Sequence, residues 1–215
     1  MAEISSVVDW FGPYRSLKDA RTVARQDFGG GLYAAIGWSK IEGRSPNQYR
    51  GRPTLQYIGI AENLGGRLTE THHKIGLRGN IEIASIWLGE VASYGVPGRR
   101  RKKIEPHLDI VEWATAFFLR TQYNEMKRTP PRCSCFVLNR WWSTDYETSI
   151  DRPVSRWADV IEYNIYTGSA NLCWFGRNGR VKSIDNAMAY GRAAINQEMK
   201  SKSLLPASIT DDELV

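Results

Sequence analysis

The chain has 215 residues, 42% of them hydrophobic and 24% charged, with a net charge of +6 and a pI near 9.3. That balance excludes a disordered chain and suits one compact core with extensions. It contains no run of about 18 apolar residues, and its first twenty residues carry charges where a leader would carry an apolar stretch, so neither a membrane span nor a secretory signal is expected.

In chain order, residues 1–28 read as an N-terminal arm. Val7, Val8, Trp10 and Phe11 can dock on a core, and Ser16 can cap a short helix through Gln26. Gly29-Gly30-Gly31 breaks that helix, and Leu32–Trp38 reads as a strand. Residues 39–54 form a basic loop with Arg44, Arg50 and Arg52, and Leu55–Ile60 is a second strand, antiparallel to the first. Asn63 is an N-cap candidate for a helix over 64–73. Asn80–Val91 is a third strand with Ile81, Ile83, Ser85 and Trp87 expected on one face. A second basic loop holds Arg99, Arg100, Arg101, Lys102 and Lys103.

Residues 105–123 show the clearest helical spacing, through Leu108, Val111, Ala114, Thr115, Phe118, Leu119 and Gln122. Cys133–Leu138 is strand-like. Asn178-Gly179 is a turn signal for a hairpin, Asp185–Lys200 reads as a helix, and the tail with Asp211 and Asp212 is expected to fray. Three cysteines point to a reducing compartment, hence to a cytoplasmic protein. Cys133, Cys135 and His107 lack an evident fourth ligand, and Cys-x-Cys matches no common zinc spacing, so the thiols are expected to be packed in strands. Trp141, Trp142, Trp157 and Trp174 are expected to pack the last third onto the core.

A basic chain favours polyanions, nucleic acid first and anionic membrane second. Cutting a phosphodiester needs a group that orients or deprotonates water, a cation for the charge developing on phosphorus, an oxygen ligand for a metal and a basic surface for the substrate. Candidates stand in one order: Tyr33 in the first strand, Tyr57 in the second, Arg67 in the next helix, Glu112 in the long helix and Asn124 twelve residues later. Glu112 lies close to the apolar face of its helix, where an unpaired carboxylate is costly and a metal would offset that cost.

The segments Gly31-Leu32-Tyr33 and Tyr57-Ile58-Gly59, then Asn63-Leu64, Arg67, Glu112 and Tyr123-Asn124, resemble the GIY-YIG nucleases in order and spacing over roughly residues 29–140. The resemblance implies an α/β, more closely α+β, fold. A small central antiparallel three-stranded sheet flanked by helices would form a core over 29–140, with the arm at 1–28 and a hairpin–helix extension at 141–215. It implies that Tyr33 accepts a proton from water or orients it, that Tyr57 positions water or phosphate, and that Arg67 clamps the scissile phosphate. It also implies that Glu112 holds Mg²⁺ or Mn²⁺ and that Asn124 supports the site by hydrogen bonds. Lys40 is a candidate helper for Tyr33, and Asn139 is a reserve for Asn124.

Two features depart from the family. The loop between the tyrosines is long, and the position four residues after Arg67 is Thr71, so the family's histidine would be His72 or His73. The expected activity is a metal-dependent endonuclease of restriction or phage type acting on double-stranded DNA, with room for a homodimer that cuts both strands. The two basic loops would contact the phosphate backbone. Two other readings stay open: a nucleic-acid-binding module without catalysis, and an RNA-directed nuclease.

Overall fold

A computed structural model describes residues 3–40, 51–92, 106–177 and 179–203, without the side chains of 106 and 197–203. It contains the strands β1 (Ile4–Tyr14), β2 (Gly31–Ser39), β3 (Thr54–Ala61), β4 (Ile81–Val91), β5 (Cys135–Trp142), β6 (Val160–Asn164), β7 (Ser169–Trp174) and β8 (Arg180–Ile184). The helices are α1 (Leu17–Gln26), α2 (Leu64–Arg67), α3 (Pro106–Leu119) and α4 (Ala187–Ser203). All eight strands join one mixed sheet in the order β3-β2-β4-β1-β5-β6-β7-β8, in which only β1 and β5 run parallel.

This corrects the expected fold class. The three predicted strands are present as the antiparallel run β3-β2-β4, but they are one end of a larger sheet rather than a complete small one. The supposed arm is β1, set between β4 and β5, with Val8 and Trp10 fully buried. Its burial runs almost unbroken, as expected for an inner strand covered on both faces. The C-terminal segment is not an appended hairpin and helix either: β5 through β8 continue the same sheet by antiparallel pairing.

The two faces carry separate cores. Helix α3 lies across one face from β3 to β6, over Leu32, Ala34, Ile36 and Ile58. Helices α1 and α2 cover the other face, where Tyr33, Ala35, Tyr57, Ile86 and Leu88 pack with Ala20, Ala24 and Leu64. Helix α1 begins where Ser16 Oγ accepts from the Asp19 amide at 3.0 Å, as its N-cap role predicts. The expectation that Ile81, Ile83, Ser85 and Trp87 share one face fails at a bulge. Ile36 pairs with Ser85 and Gly37 with Ile83, leaving Ala84 extra, so Ile81 and Ile83 pack on the α1 side and Trp87 on the α3 side. A second bulge sits at Gln56, because Ala35 pairs with Tyr57 and Ile36 with Leu55.

The described part of the β7–β8 connection agrees with the predicted hairpin, although Asn178 lies outside the described residues. Trp141, Trp157 and Trp174 are buried, and Trp157 packs edge-on to Trp10 at 4.8 Å between centroids, tying the C-terminal strands to β1. The three cysteines are free thiols, and Cys135 is buried. Among the described residues, no helix is long and apolar enough to cross a membrane.

Candidate active site

Tyr33 lies in the middle of β2 and is fully buried; Tyr57 lies beside it on β3 with its ring centroid 5.8 Å away. Across the strand pair, Tyr33 is opposite Gly59. A Cβ on Gly59 would stand 2.5 Å from both Cζ and Oη of Tyr33, so this glycine is the floor on which the Tyr33 ring lies. The motif glycine therefore serves close approach.

Helix α2 brings in the arginine. Asn63 Oδ1 accepts from the Gly66 amide at 2.9 Å and starts the turn. Gly65 presses on α1, where a Cβ would strike Arg25 at 2.3 Å, and its carbonyl accepts from Arg21 Nε at 3.2 Å. Arg67 closes the helix and donates from Nε to the Tyr33 hydroxyl at 3.4 Å. The bond holds the guanidinium more firmly protonated than usual.

The helix predicted over 64–73 is thus a single turn, 64–67. Two adjacent glycines offer little helix propensity, and Leu68 leaves the helical region with ψ 74. A turn follows in place of the helix, and that turn delivers His72. Its Nε2 lies 2.9 Å from the Tyr33 hydroxyl. Its Nδ1 accepts from the amides of Lys74 at 3.1 Å and Ile75 at 3.3 Å. An Nδ1 that accepts carries no proton, so neutral His72 is protonated at Nε2 and donates to Tyr33. His73 stacks on His72 with centroids 4.8 Å apart. Of the two candidate histidines, His72 is the one on the tyrosine.

The Tyr33 oxygen therefore receives two N–H donors, from His72 and Arg67, and interacts with the Tyr57 hydroxyl. Burial is the largest influence on its ionisation and, with Tyr57 beside it, pushes the phenol well above its ordinary range, while Arg67 pulls the other way. In this resting arrangement Tyr33 is a neutral phenol. His72 is pushed down to about 4, first by burial and then by the charges of Arg67 and His73.

A pH effect follows. The unfolded chain titrates His72 near its ordinary 6.5 while the fold holds it near 4, so the unfolded state binds the extra proton between these values. Stability from neutral His72 is complete above about pH 6.5 and is lost as pH falls toward 4, at up to about 1.4 kcal/mol per pH unit. Urea unfolding between about pH 7 and pH 4.5 should show this slope, and His72→Gln should flatten it.

Glu112 projects from α3 and is 9% exposed. Burial raises its pKa, opposed by Lys127 and by the more distant charge of Arg67. Lys127 Nζ lies 3.4 Å from Glu112 Oε2 and 2.8 Å from Asp109 Oδ1, and over the Trp113 ring at 4.4 Å. The cost of burying this carboxylate is thus offset by an ammonium in the chain itself, which the spacing of a loop lysine gave no means to foresee. Among the described residues no three His, Cys, Asp or Glu side chains gather around a common point. A single carboxylate oxygen donor still fits Mg²⁺ or Mn²⁺, since Mg²⁺ keeps most of its waters and takes one or two carboxylates; the ion would have to displace or share with Lys127.

Helix α3 ends at Leu119, short of the predicted 123, because Arg120 takes φ 54, where a helix cannot continue. The loop that follows covers the free edge of β3. The Tyr123 amide donates to the Gln56 carbonyl at 3.1 Å. The Asn124 side chain accepts from the Ile58 amide at 3.0 Å and donates to the Ile58 carbonyl at 2.6 Å. Thr121 Oγ1 donates to Asn124 Oδ1 at 2.8 Å. Asn124 thus stands in for a missing strand, one residue from Tyr57, and secures the end of α3 to it. Asn124→Ala should cost about 2–4 kcal/mol by orphaning both groups of Ile58, read as a lower urea midpoint with unchanged m.

Other candidates lie elsewhere. Lys40 Nζ donates to the Leu77 carbonyl at 3.0 Å rather than to Tyr33. Asn139 accepts from Trp10 Nε1 at 2.8 Å and donates to the Ala158 carbonyl, inside the core. His107 Nδ1 meets Ser6 Oγ at 3.3 Å, and no zinc-type cluster forms with Cys133 and Cys135. Arg52 is exposed beside β3. Arg44, Arg50, Arg99, Arg100, Arg101, Lys102, Lys103 and the acidic tail lie outside the described residues.

Compared with protein-family models, with curated proteins and with solved structures, the chain matches none. The likeness to GIY-YIG nucleases therefore rests on the residues and on their arrangement around Tyr33.

Proposed function

We propose that this protein is a divalent-metal-dependent endonuclease that hydrolyses phosphodiester bonds in double-stranded DNA. The observation that carries the reading is the convergence of His72 Nε2–H and Arg67 Nε–H on one buried tyrosine oxygen, with Tyr57 alongside. A core tyrosine needs one partner for its hydroxyl; two donors on the same oxygen are what stabilises negative charge there. A water beside Tyr33 would attack phosphorus while its proton passes to the tyrosine oxygen and the tyrosine proton moves on toward Tyr57. His72, neutral and fixed in its tautomer, holds the ring oxygen and adds no second cation next to Arg67.

Arg67 spends Nε on Tyr33, which leaves its outer nitrogens directed to a phosphate; the planar fork suits two oxygens at once. Glu112 would hold Mg²⁺ or Mn²⁺, which when bound stabilises charge on the phosphate oxygens. The net charge of +6 would favour the approach of a polyanion.

The test is digestion of a mixed plasmid set with Mg²⁺, with the cut ends sequenced. Cutting is expected in wild type and should fall by at least about a hundredfold in Glu112→Gln, with duplex binding retained. Undiminished cutting by the variant would remove Glu112 from the site. No cutting by wild type on any DNA would leave the protein a binding module, and cutting of single-stranded RNA in preference to duplex DNA would reassign the substrate.

A further inference from the structure

Behind the tyrosine site, on the α3 face, a cleft of about 130 Å³ opens between the start of β3 and the end of α3. Thr54, Gln56, Arg120, Gln122 and Arg156 line it, with two leucines. Two of these side chains bring unsatisfied buried atoms: Gln56 Oε1 accepts from nothing, and Arg120 Nε donates to nothing.

Gln56 is 6% exposed, so a bare carbonyl there is costly. Its orientation is fixed. Nε2 donates to the Gly37 carbonyl at 3.2 Å and to Thr54 Oγ1 at 2.7 Å, and turning the amide over would set two acceptors against each other. Gln56 is also the extra residue of the β3 bulge, immediately before Tyr57. Bulges beside sites re-aim side chains, and this one sends an amide to the cleft.

Arg120 is anchored separately. Its NH2 group donates to the Tyr190 carbonyl at 3.1 Å, and its guanidinium lies over the Tyr190 ring at 3.9 Å. The residue adopts φ 54, an unusual conformation for arginine, so the backbone departs from helix just where this side chain is needed. Arg156 approaches the cleft from the β5–β6 connection, and Gln122 is held there by Ser39 Oγ, which donates to its Oε1 at 2.7 Å.

The lining asks for a ligand that accepts from two arginines and donates once, to Gln56. A simple anion meets the first requirement only. A nucleotide meets both: its phosphate accepts from Arg120 and Arg156, and a base amino group or sugar hydroxyl donates to Gln56. We propose that this cleft is a nucleotide-binding subsite, lying next to Tyr57 along β3. It rests on the nucleic-acid reading of the tyrosine site, since the ligand class is shared.

The experiment is calorimetric titration of EDTA-treated protein with each deoxynucleoside 5′-monophosphate, with inorganic phosphate, with glutamate and with a single-stranded hexanucleotide. At least one mononucleotide is expected to bind more tightly than phosphate. Arg156→Ala, at an exposed position, should weaken binding about tenfold or more, and Arg156→Lys should restore part of it. Gln56→Leu should erase the preference for nucleotide over phosphate, with folding checked by circular dichroism. Tighter binding of the hexanucleotide would assign the subsite to a strand, and tighter binding of the mononucleotide to a free nucleotide. Absent nucleotide binding, equal binding by wild type and Arg156→Ala, or equal binding of glutamate would overturn the proposal. Plasmid cutting on the same preparations separates the two readings. Binding without cutting keeps the subsite and removes the nuclease; cutting without nucleotide binding does the reverse.

Discussion

Tyr33→Phe is expected to lower DNA cutting by about a thousandfold, within the range that a positioned proton-transfer group supplies. The variant keeps the ring that packs over Gly59 and beside Tyr57, so the strand pair is retained. It removes the acceptor shared by His72 Nε2 at 2.9 Å and Arg67 Nε at 3.4 Å. His72 is buried and would lose its partner, a cost of about 1–3 kcal/mol. Arg67 would be released and should still bind phosphate, so affinity for duplex DNA should change little. A purely structural tyrosine would predict the same loss of stability with cutting intact in whatever fraction stays folded. The decisive measurement is therefore single-turnover cutting at a temperature where circular dichroism shows the variant folded. Loss of less than about tenfold there would remove Tyr33 from proton transfer. Tyr57→Phe on the same assay asks whether the second hydroxyl takes part in the relay or only packs.

Much of the region around the tyrosines could be read from residues alone, because its signals are local. Strand alternation, the Ser16 and Asn63 caps and the antiparallel pairing of the first two strands depend on neighbours a few positions away. The larger sheet could not be read. That β1 sits between β4 and β5 depends on pairing across more than 70 residues on one side and 130 on the other, and an apolar first segment looks the same whether it docks as an arm or inserts as a strand. The bulges at Gln56 and Ala84 were invisible for a related reason: each adds one residue to a ladder, and only the partner strand reveals which.

Within the site, the identities of Tyr33, Tyr57, Arg67 and Glu112 came from spacing, whereas their surroundings did not. The histidine one place beyond the family position is accommodated because α2 stops after one turn, so the usual helical offset from Arg67 does not apply. Lys127 reaches Glu112 only because the loop after α3 folds back along the edge of β3. That loop does three things at once: it supplies Asn124 to the bare edge, Lys127 to the buried carboxylate and Arg120 to the cleft behind. A carboxylate held by a lysine in the absence of metal is a second difference from a bare metal ligand.

Gly59→Ala is expected to be the most damaging single methyl in the molecule's candidate site. Gly59 faces Tyr33 across the β2–β3 ladder, and the new Cβ would lie 2.5 Å from Tyr33 Oη and Cζ and 2.8 Å from Cε1. Contacts that short cannot be kept, and the Tyr33 ring is no flexible chain end: it is fully buried, with His72 edge-on at 5.8 Å and Tyr57 at the same spacing. Either the ring tilts and leaves its two donors, or β3 moves away from β2 and strains the Asn124 brace at Ile58. Overpacking of this kind costs about 1–3 kcal/mol, so the variant should fold with a lower urea midpoint. Cutting should fall much further than that stability loss implies, because a shift of about 1 Å at a positioned group can cost about a hundredfold. The two routes are separable. If the ring tilts, Tyr33→Ala combined with Gly59→Ala should recover most of the stability lost by Gly59→Ala, since the clash is gone, yet remain inactive. If the strand moves, the double variant should recover none. A Gly59→Ala protein with wild-type cutting and an unchanged midpoint would mean that the ring does not need this floor, and the close approach of the two motif segments would lose its explanation.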